Sequence, residues 1–373
     1  MRRIDLDHNA TTPTRPEVWD AVRAAPDGNP SSAHAAGRAA RRALDDARER
    51  VAAALGCEPD EVTFTGGATE ANNLAVFGLA GPGRVVASPL EHPCVAEPLK
   101  KLGNVEYLPV THAGVVEVPA APADVRFAAV MLANHDTGAV QPVRVVVDAL
   151  PGVPVLCDAA QAVGKLPVSF RDLGVAALTA AGHKFGGPKG VGLLVLRRGT
   201  PFTPTVFGGH QQGGRRPGTE PVPLAVGLAL ALELAVAELA GRRATWAALR
   251  QRFLAALQPL NPVVNSPADG LPNTLNVSFP GTRADLLVPA LDLAGVACSA
   301  GAACASGSLL PSPVLRAMHL PDDVVRAAVR FSFGRDTDVE AVDEAAGRIG
   351  HAVRRLRGNG FVPQTPPGGR GTH

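Results

Sequence analysis

Six short apolar runs, at residues 62–64, 84–87, 127–133, 153–157, 176–180 and 191–196, constrain this chain more than any other feature. Several are separated by helix-like segments, and that alternation predicts an α/β fold with a mostly parallel sheet flanked by helices on both faces. Residues 32–56 read as an amphipathic helix: Ala40, Leu44, Ala47, Val51 and Leu55 share one face, and Gly56 closes it. A long helical stretch over 224–257 leads into different material: a run from Thr274 to Phe279, a helix near 284–293, a segment over 325–333 and a final helix through Leu356. At 373 residues the chain is too long for one typical core, and 46% hydrophobic content fills two. The expected division is a large domain over 15–245, a smaller α+β domain from 1–14 and 246–357, and a Gly- and Pro-rich disordered tail over 358–373.

Charge and cysteine usage narrow the function classes. The net charge of +2 provides no basic field for nucleic acid. No stretch approaches the length of an uncharged membrane span, and the first residues lack the apolar centre of a secretory signal, so a soluble cytoplasmic protein without nucleic-acid or membrane partners is expected. Cys57, Cys94, Cys157, Cys298 and Cys304 have neither disulfide nor zinc spacing. No metal site is expected.

Lysine is scarce in this arginine-rich chain, which contains five, and Lys184 stands in the run Gly182-His183-Lys184-Phe185-Gly186-Gly187. Upstream, the apolar run 153–157 ends in Asp158. An amine that can form an imine and a carboxylate beside a pyridine nitrogen are what pyridoxal phosphate needs; the alternative is a solvated lysine and a helix-capping aspartate. After the run 62–64, Thr65-Gly66-Gly67-Ala68-Thr69 opens into a helix whose first turn suits a phosphate, although such glycines also serve turns alone. His92 follows another run and reads either as a proton carrier over a ring or as a capping histidine. His135 follows the run 127–133. Ligands bind at the carboxyl ends of open parallel sheets, where Thr69, His92, His135, Asp158 and Lys184 would converge. Cys304, among tiny side chains, reads as a mobile nucleophile or as an incidental thiol in a tight loop.

Together with Leu6-Asp7-His8-Asn9-Ala10-Thr11-Thr12-Pro13, Gly28-Asn29-Pro30-Ser31-Ser32, Arg216-Pro217-Gly218-Thr219, Pro272-Asn273-Thr274-Leu275-Asn276 and Arg330-Phe331-Ser332-Phe333, these motifs resemble the cysteine desulfurases. The resemblance runs from about residue 4 to 356. It implies a fold type I pyridoxal phosphate enzyme of the class V aminotransferase group, and the Ala303-Cys304-Ala305-Ser306 loop looks like the long-loop subgroup of iron–sulfur cluster assembly.

By that resemblance Lys184 carries the cofactor, Asp158 partners the pyridinium, Gln161 donates to the ring oxygen and His92 is the stacked acid/base. Ala68, Thr69 and His183 hold the phosphate, and Thr219 reaches the phosphate of a neighbouring subunit in a homodimer. Arg330 grips the carboxylate of L-cysteine, assisted by Asn29 and His135. Cys304 takes the sulfur as a persulfide for an acceptor such as an iron–sulfur scaffold. Three positions depart from the family: His135 replaces an Asn, Ala181 a Ser and Gly213 an Arg. A protonated His135 facing anionic groups is expected, making substrate affinity fall as pH rises. The competing readings are a selenocysteine lyase and a catalytically decayed scaffold of the same fold.

Overall fold

The apolar runs become strands of one seven-stranded sheet, in the order 62–65, 192–196, 177–181, 155–158, 125–129, 84–87 and 105–107. The last five are mutually parallel, while Gly192–Leu196 runs antiparallel to both its neighbours. The computed structural model describes residues 2–118, 124–300 and 311–358. All strands from Val155–Asp158 to Gly192–Leu196 are buried along their whole length, which explains why they read as continuous apolar runs with no alternation.

The amphipathic helix is Ala35–Leu55, capped at its C-terminus by Gly56 in the left-handed conformation at φ 67°. It packs its Ala40, Leu44, Ala47 and Val51 face into the main core. The expected long helix over 224–257 is instead two helices, Val222–Ala237 and Leu239–Leu257, bent by 66°. The bend falls where the chain changes cores. Leu228, Leu232 and Ala235 belong to the core around the large sheet, whereas Trp246, Leu249, Phe253 and Leu257 belong to a second core with Ile4, Leu6, Phe331 and Phe333. Glu238 at the bend accepts a hydrogen bond from Arg15 at 2.7 Å and pairs with Arg242, so the turn carries paired charges.

The second core backs a three-stranded antiparallel sheet in the order Ala328–Ser332, Thr274–Ser278, Val263–Val264. The segment expected over 325–333 divides into a short helix, Asp322–Arg326, and the strand Ala328–Ser332. The N-terminal strand Ile4–Asp5 pairs in parallel with Val296–Ala297, and Asp7 bridges to Ser332, which docks the first residues beside the second sheet. The final helix, Val339–Gly358, includes Gly358, which was expected to begin the tail. Residues 359–373 and Cys304 lie outside the described residues. Among the described residues, no single helix is long and apolar enough to cross a membrane.

Candidate active site

The carboxyl ends of the parallel strands and the amino end of the antiparallel strand 192–196 meet around a cavity of about 680 Å³. Its lining includes Ala68, Thr69, His92, His135, Asp158, Gln161, His183 and Lys184. Gly66 and Gly67, which also line it, precede the helix Ala68–Leu79. Gly67 has φ 151°, and a Cβ placed on Gly192 would lie 2.6 Å from the Gly67 carbonyl carbon, so the turn presses directly on the neighbouring strand. The first amides of that helix have no intrahelical acceptor, and Ala68, Thr69 and Glu70 of its first turn line the cavity. His183 also lines it, with Nδ1 3.1 Å from the Thr11 hydroxyl. Burial, then Lys184, Lys189 and Lys165, pushes its imidazole down to about 4, so it serves there as a neutral hydrogen-bonding group.

Asp158 joins the lining where the strand Val155–Asp158 stops. Its Oδ1 accepts from the Ala160 amide at 2.9 Å and its Oδ2 from Asn72 Nδ2 at 2.8 Å. Asn72 is held in turn by the Thr179 hydroxyl, which donates to Asn72 Oδ1 at 2.7 Å. The carboxylate therefore cannot swing away from the cavity without breaking bonds to a loop, a helix and an adjacent strand. Capping and function coincide at His92 too. It is the N-cap of the helix Pro93–Leu102, its Nδ1 accepting from the Cys94 amide at 3.2 Å. That acceptor role puts the proton of the neutral ring on Nε2. Burial lowers its basicity, Asp158 opposes this, and Lys184 and Arg330 add to the lowering. The Cys94 sulfur lies 2.9 Å from His92 Nδ1, and burial and Asp158 raise its thiol well above the ordinary range, which keeps it protonated.

Lys184 donates to the backbone carbonyls of Asn9 at 2.6 Å and Ala10 at 2.9 Å. His135 packs edge-on against His92, with ring centroids 5.3 Å apart. Its Nδ1 is buried without a partner among the described residues. Burial, followed by His92, Arg330 and Lys184, pushes His135 well below the ordinary histidine range. Without bound anions, burial and the neighbouring Arg330 and Lys184 thus favour the neutral imidazole, the opposite of the form expected when the ring faces anionic groups. Ala181 lines the cavity as a methyl group, so this departure removes a hydroxyl from the site itself. Gly213 lies elsewhere, with φ 65° in the turn Gln211–Gly214, beside an open groove that includes Arg48 and Glu220.

Three expected site residues do not line the cavity. Arg330 is 1% exposed in the second sheet; it pairs with Asp7 at 2.6 Å and donates to the His135 carbonyl at 3.0 Å, while its Nε is buried without a partner among the described residues. Asn29 is exposed, and its side chain accepts from the Ser31 amide at 2.9 Å. Thr219 is exposed beyond the groove, although Arg216, three residues before it, pairs with Glu70 at 2.7 Å and ties that loop to the helix of the phosphate turn.

Sequence reasoning missed Asn9, Asn72, Cys94 and Lys165. Asn9 stood inside the Leu6–Pro13 motif, and helical spacing puts Asn72 one turn beyond Thr69. Lys165 carried the same signal as Lys184, an uncommon lysine in a chain that prefers arginine.

Comparison with known proteins identifies the family. The model of the aminotransferase class-V family matches residues 4–344. A cysteine desulfurase IscS of Dictyoglomus turgidum is 37% identical over 377 residues, covering 95% of this chain and 96% of that protein. An IscS-like cysteine desulfurase of Mycobacterium tuberculosis is 40% identical, covering 94% and 96%. Among solved structures, a NifS-like protein superposes with a TM-score of 0.89 at 34% identity, covering 95% of this chain and all of that one. SspA in complex with cysteine superposes at 0.76 and 30% identity, covering 88% and 98%. The chain belongs to the class-V aminotransferase family, within its cysteine desulfurases.

Proposed function

We propose that this protein removes sulfur from L-cysteine, releasing L-alanine and leaving a persulfide on Cys304 that an acceptor protein collects. Cys304–SH and L-cysteine together supply every atom of the persulfide and alanine, so no oxidant is required. The observation that carries the reading is the set of groups that line one cavity together: the first turn of a helix with Thr69, the carboxylate of Asp158, and the amine of Lys184. That donor set fits pyridoxal 5'-phosphate, with an anion cradle, a partner for a ring nitrogen and an amine for an aldehyde. When bound, the cofactor supplies a carbonyl carbon for amine capture and a ring that accepts the electron pair released at Cα.

The chain's own residues would do the rest. Ala68, Thr69 and His183 hold the phosphate, Asp158 keeps a ring nitrogen protonated, and His92 covers the ring with Nε2–H available for proton transfer. Gln161 donates to the ring oxygen. Lys184, once displaced by substrate, takes the Cα proton. Arg330 offers the substrate carboxylate a planar guanidinium fork, which requires exchanging the bond to Asp7. Asn29 assists at that carboxylate. Thr219 serves a neighbouring copy in a homodimer, a role suited to its exposed position outside its own cavity. The test is direct: purified protein loaded with pyridoxal phosphate should yield one alanine per sulfur transferred from L-cysteine, with a persulfide mapped to Cys304. Release of free sulfide with no protein persulfide overturns the proposal, and much faster turnover of selenocysteine would reassign the substrate.

A further inference from the structure

Lys165 is 3% exposed and forms no ion pair with any described residue. Its Nζ donates to Gln161 Oε1 at 2.5 Å and to Asn9 Oδ1 at 2.8 Å. A methionine would fill a similar volume without the cost of burying an amine. What methionine lacks is two donors. Both amides that face Lys165 have their nitrogens committed elsewhere: Asn9 Nδ2 donates to the Thr274 hydroxyl at 2.9 Å and the His135 carbonyl at 3.3 Å, and Gln161 Nε2 donates to the Asn9 carbonyl at 3.0 Å. Flipping either amide would set an NH2 group against the amine, donor against donor.

We infer that Lys165 is a positioning residue for the cofactor cavity, locking the Gln161 carboxamide with its oxygen inward so that the second N–H of Nε2 is left for the ring oxygen. The same amine secures Asn9, whose backbone carbonyl receives Lys184 and Gln161 together. Asn9 also joins the two sheets, since its backbone amide donates to Ser332 Oγ at 2.8 Å. The role does not depend on charge. Burial, with Lys184 and Arg330 nearby, pushes the Lys165 amine well below its ordinary range, but a neutral amine retains two N–H groups for its two oxygens.

The inference rests on the cofactor reading and is tested by binding, without turnover. Dissociation constants for pyridoxal phosphate are measured by equilibrium dialysis for the wild type, Lys165→Met, Gln161→Ala and the double variant, alongside the melting temperature of each apoprotein. Each single change should weaken the cofactor by roughly tenfold, the worth of one hydrogen bond to an anionic group. The double variant should bind no more weakly than Gln161→Ala, because Lys165 acts through Gln161. Multiplying effects in the double variant, or unchanged affinity in a folded Lys165→Met protein, overturn the inference. If Lys165→Met does not fold, Lys165→Gln, which keeps an amide donor, enters the same cycle with a smaller expected loss. Failure of both to fold makes Lys165 a structural prop and also overturns it. A wild type that takes up no pyridoxal phosphate sinks the functional reading instead.

Discussion

Asp158 and Arg330 are both buried charged residues beside one cavity, yet the fold treats them differently. Asp158 ends a strand of the large sheet and lines the cavity, with Asn72 and the Ala160 amide fixing both oxygens from behind. Arg330 sits in the second sheet, directs one nitrogen to Asp7 and another to a main-chain carbonyl, and does not reach the lining. Thr69, His183 and Asp158, proposed to hold the cofactor phosphate and ring nitrogen, all line the cavity of one chain, to which the proposed homodimer adds only Thr219 of the neighbouring copy. Those proposed for the substrate side come from the second sheet, an exposed loop and the Cys304 segment. Preorganisation therefore favours the cofactor half, whereas the substrate half must be completed by rearrangement or by another copy.

Lys184→Ala and Cys304→Ala give the largest test of that division. Both should abolish alanine formation, but for opposite reasons. Lys184→Ala should retain no cofactor covalently after borohydride reduction and denaturation, since Lys189, the other lysine on the cavity wall, belongs to a glycine turn. Cys304→Ala should keep full cofactor loading and L-cysteine binding while forming no persulfide. Cofactor reduced onto Lys189, or desulfuration by Cys304→Ala, would break the comparison.

Arg330→Lys should leave cofactor affinity unchanged and raise the KM for L-cysteine by about 10- to 100-fold, the range expected when a bidentate charged contact is lost. Steady-state kinetics beside cofactor dialysis separate the two. A loss of cofactor with no change in KM would make Arg330 a brace for His135 and Asp7, leaving the substrate carboxylate to another group.

A smaller effect probes the cofactor half through Glu91, which is 8% exposed and accepts from the Met131 amide at 2.6 Å. Burial, with Asp158 adding repulsion, pushes this carboxyl up to about 8 from its ordinary 4.5. Between those values the folded protein holds a proton that the unfolded chain has lost, so the Glu91 contribution to stability falls as pH rises across that window, against the opposite contributions of His92, His135 and His183, whose basicity burial lowers. Glu91→Gln, which resembles the protonated form, should remove that falling contribution from the apoprotein's melting profile. A Glu91→Gln profile that runs parallel to the wild-type one across the window would show that Glu91 is ionised in the fold.

How much was legible follows the same division. Residues 62–65, 155–158 and 177–181 announced themselves because strands buried on both faces must be apolar throughout, and a charged residue at such an end has few structural reasons to be there. The two-helix bend at Glu238 was illegible, since both segments are helical and only the change of core separates them. Asn9 and Lys165 were missed because their partners are more than 120 residues away or are amides with no charge pattern to complement. Arg330 was found by resemblance, but its pairing with Asp7 depends on the N-terminal strand docking beside the second sheet, which local sequence does not encode.

His135 stands where the two halves meet. Its carbonyl receives Arg330 and Asn9 from the substrate side, while its ring packs against His92 over the cofactor side. Burial and the surrounding cations keep that ring neutral. Neutral imidazole offers one donor, as one N–H of an asparagine would, and neither group titrates near neutrality. With Cys304→Ala as background, L-cysteine affinity should therefore follow the same pH course between pH 6.5 and 9 whether or not His135→Asn is added, and any difference should be a constant offset of a few-fold, flagged by the ~1 kcal/mol typical of a single hydrogen bond. Ionisation of the substrate thiol and amine affects both proteins and cancels in the comparison. Curves that part with a midpoint between pH 6.5 and 8 would mean that bound anions overcome the burial penalty and protonate His135, placing that residue with the half that forms only when substrate arrives.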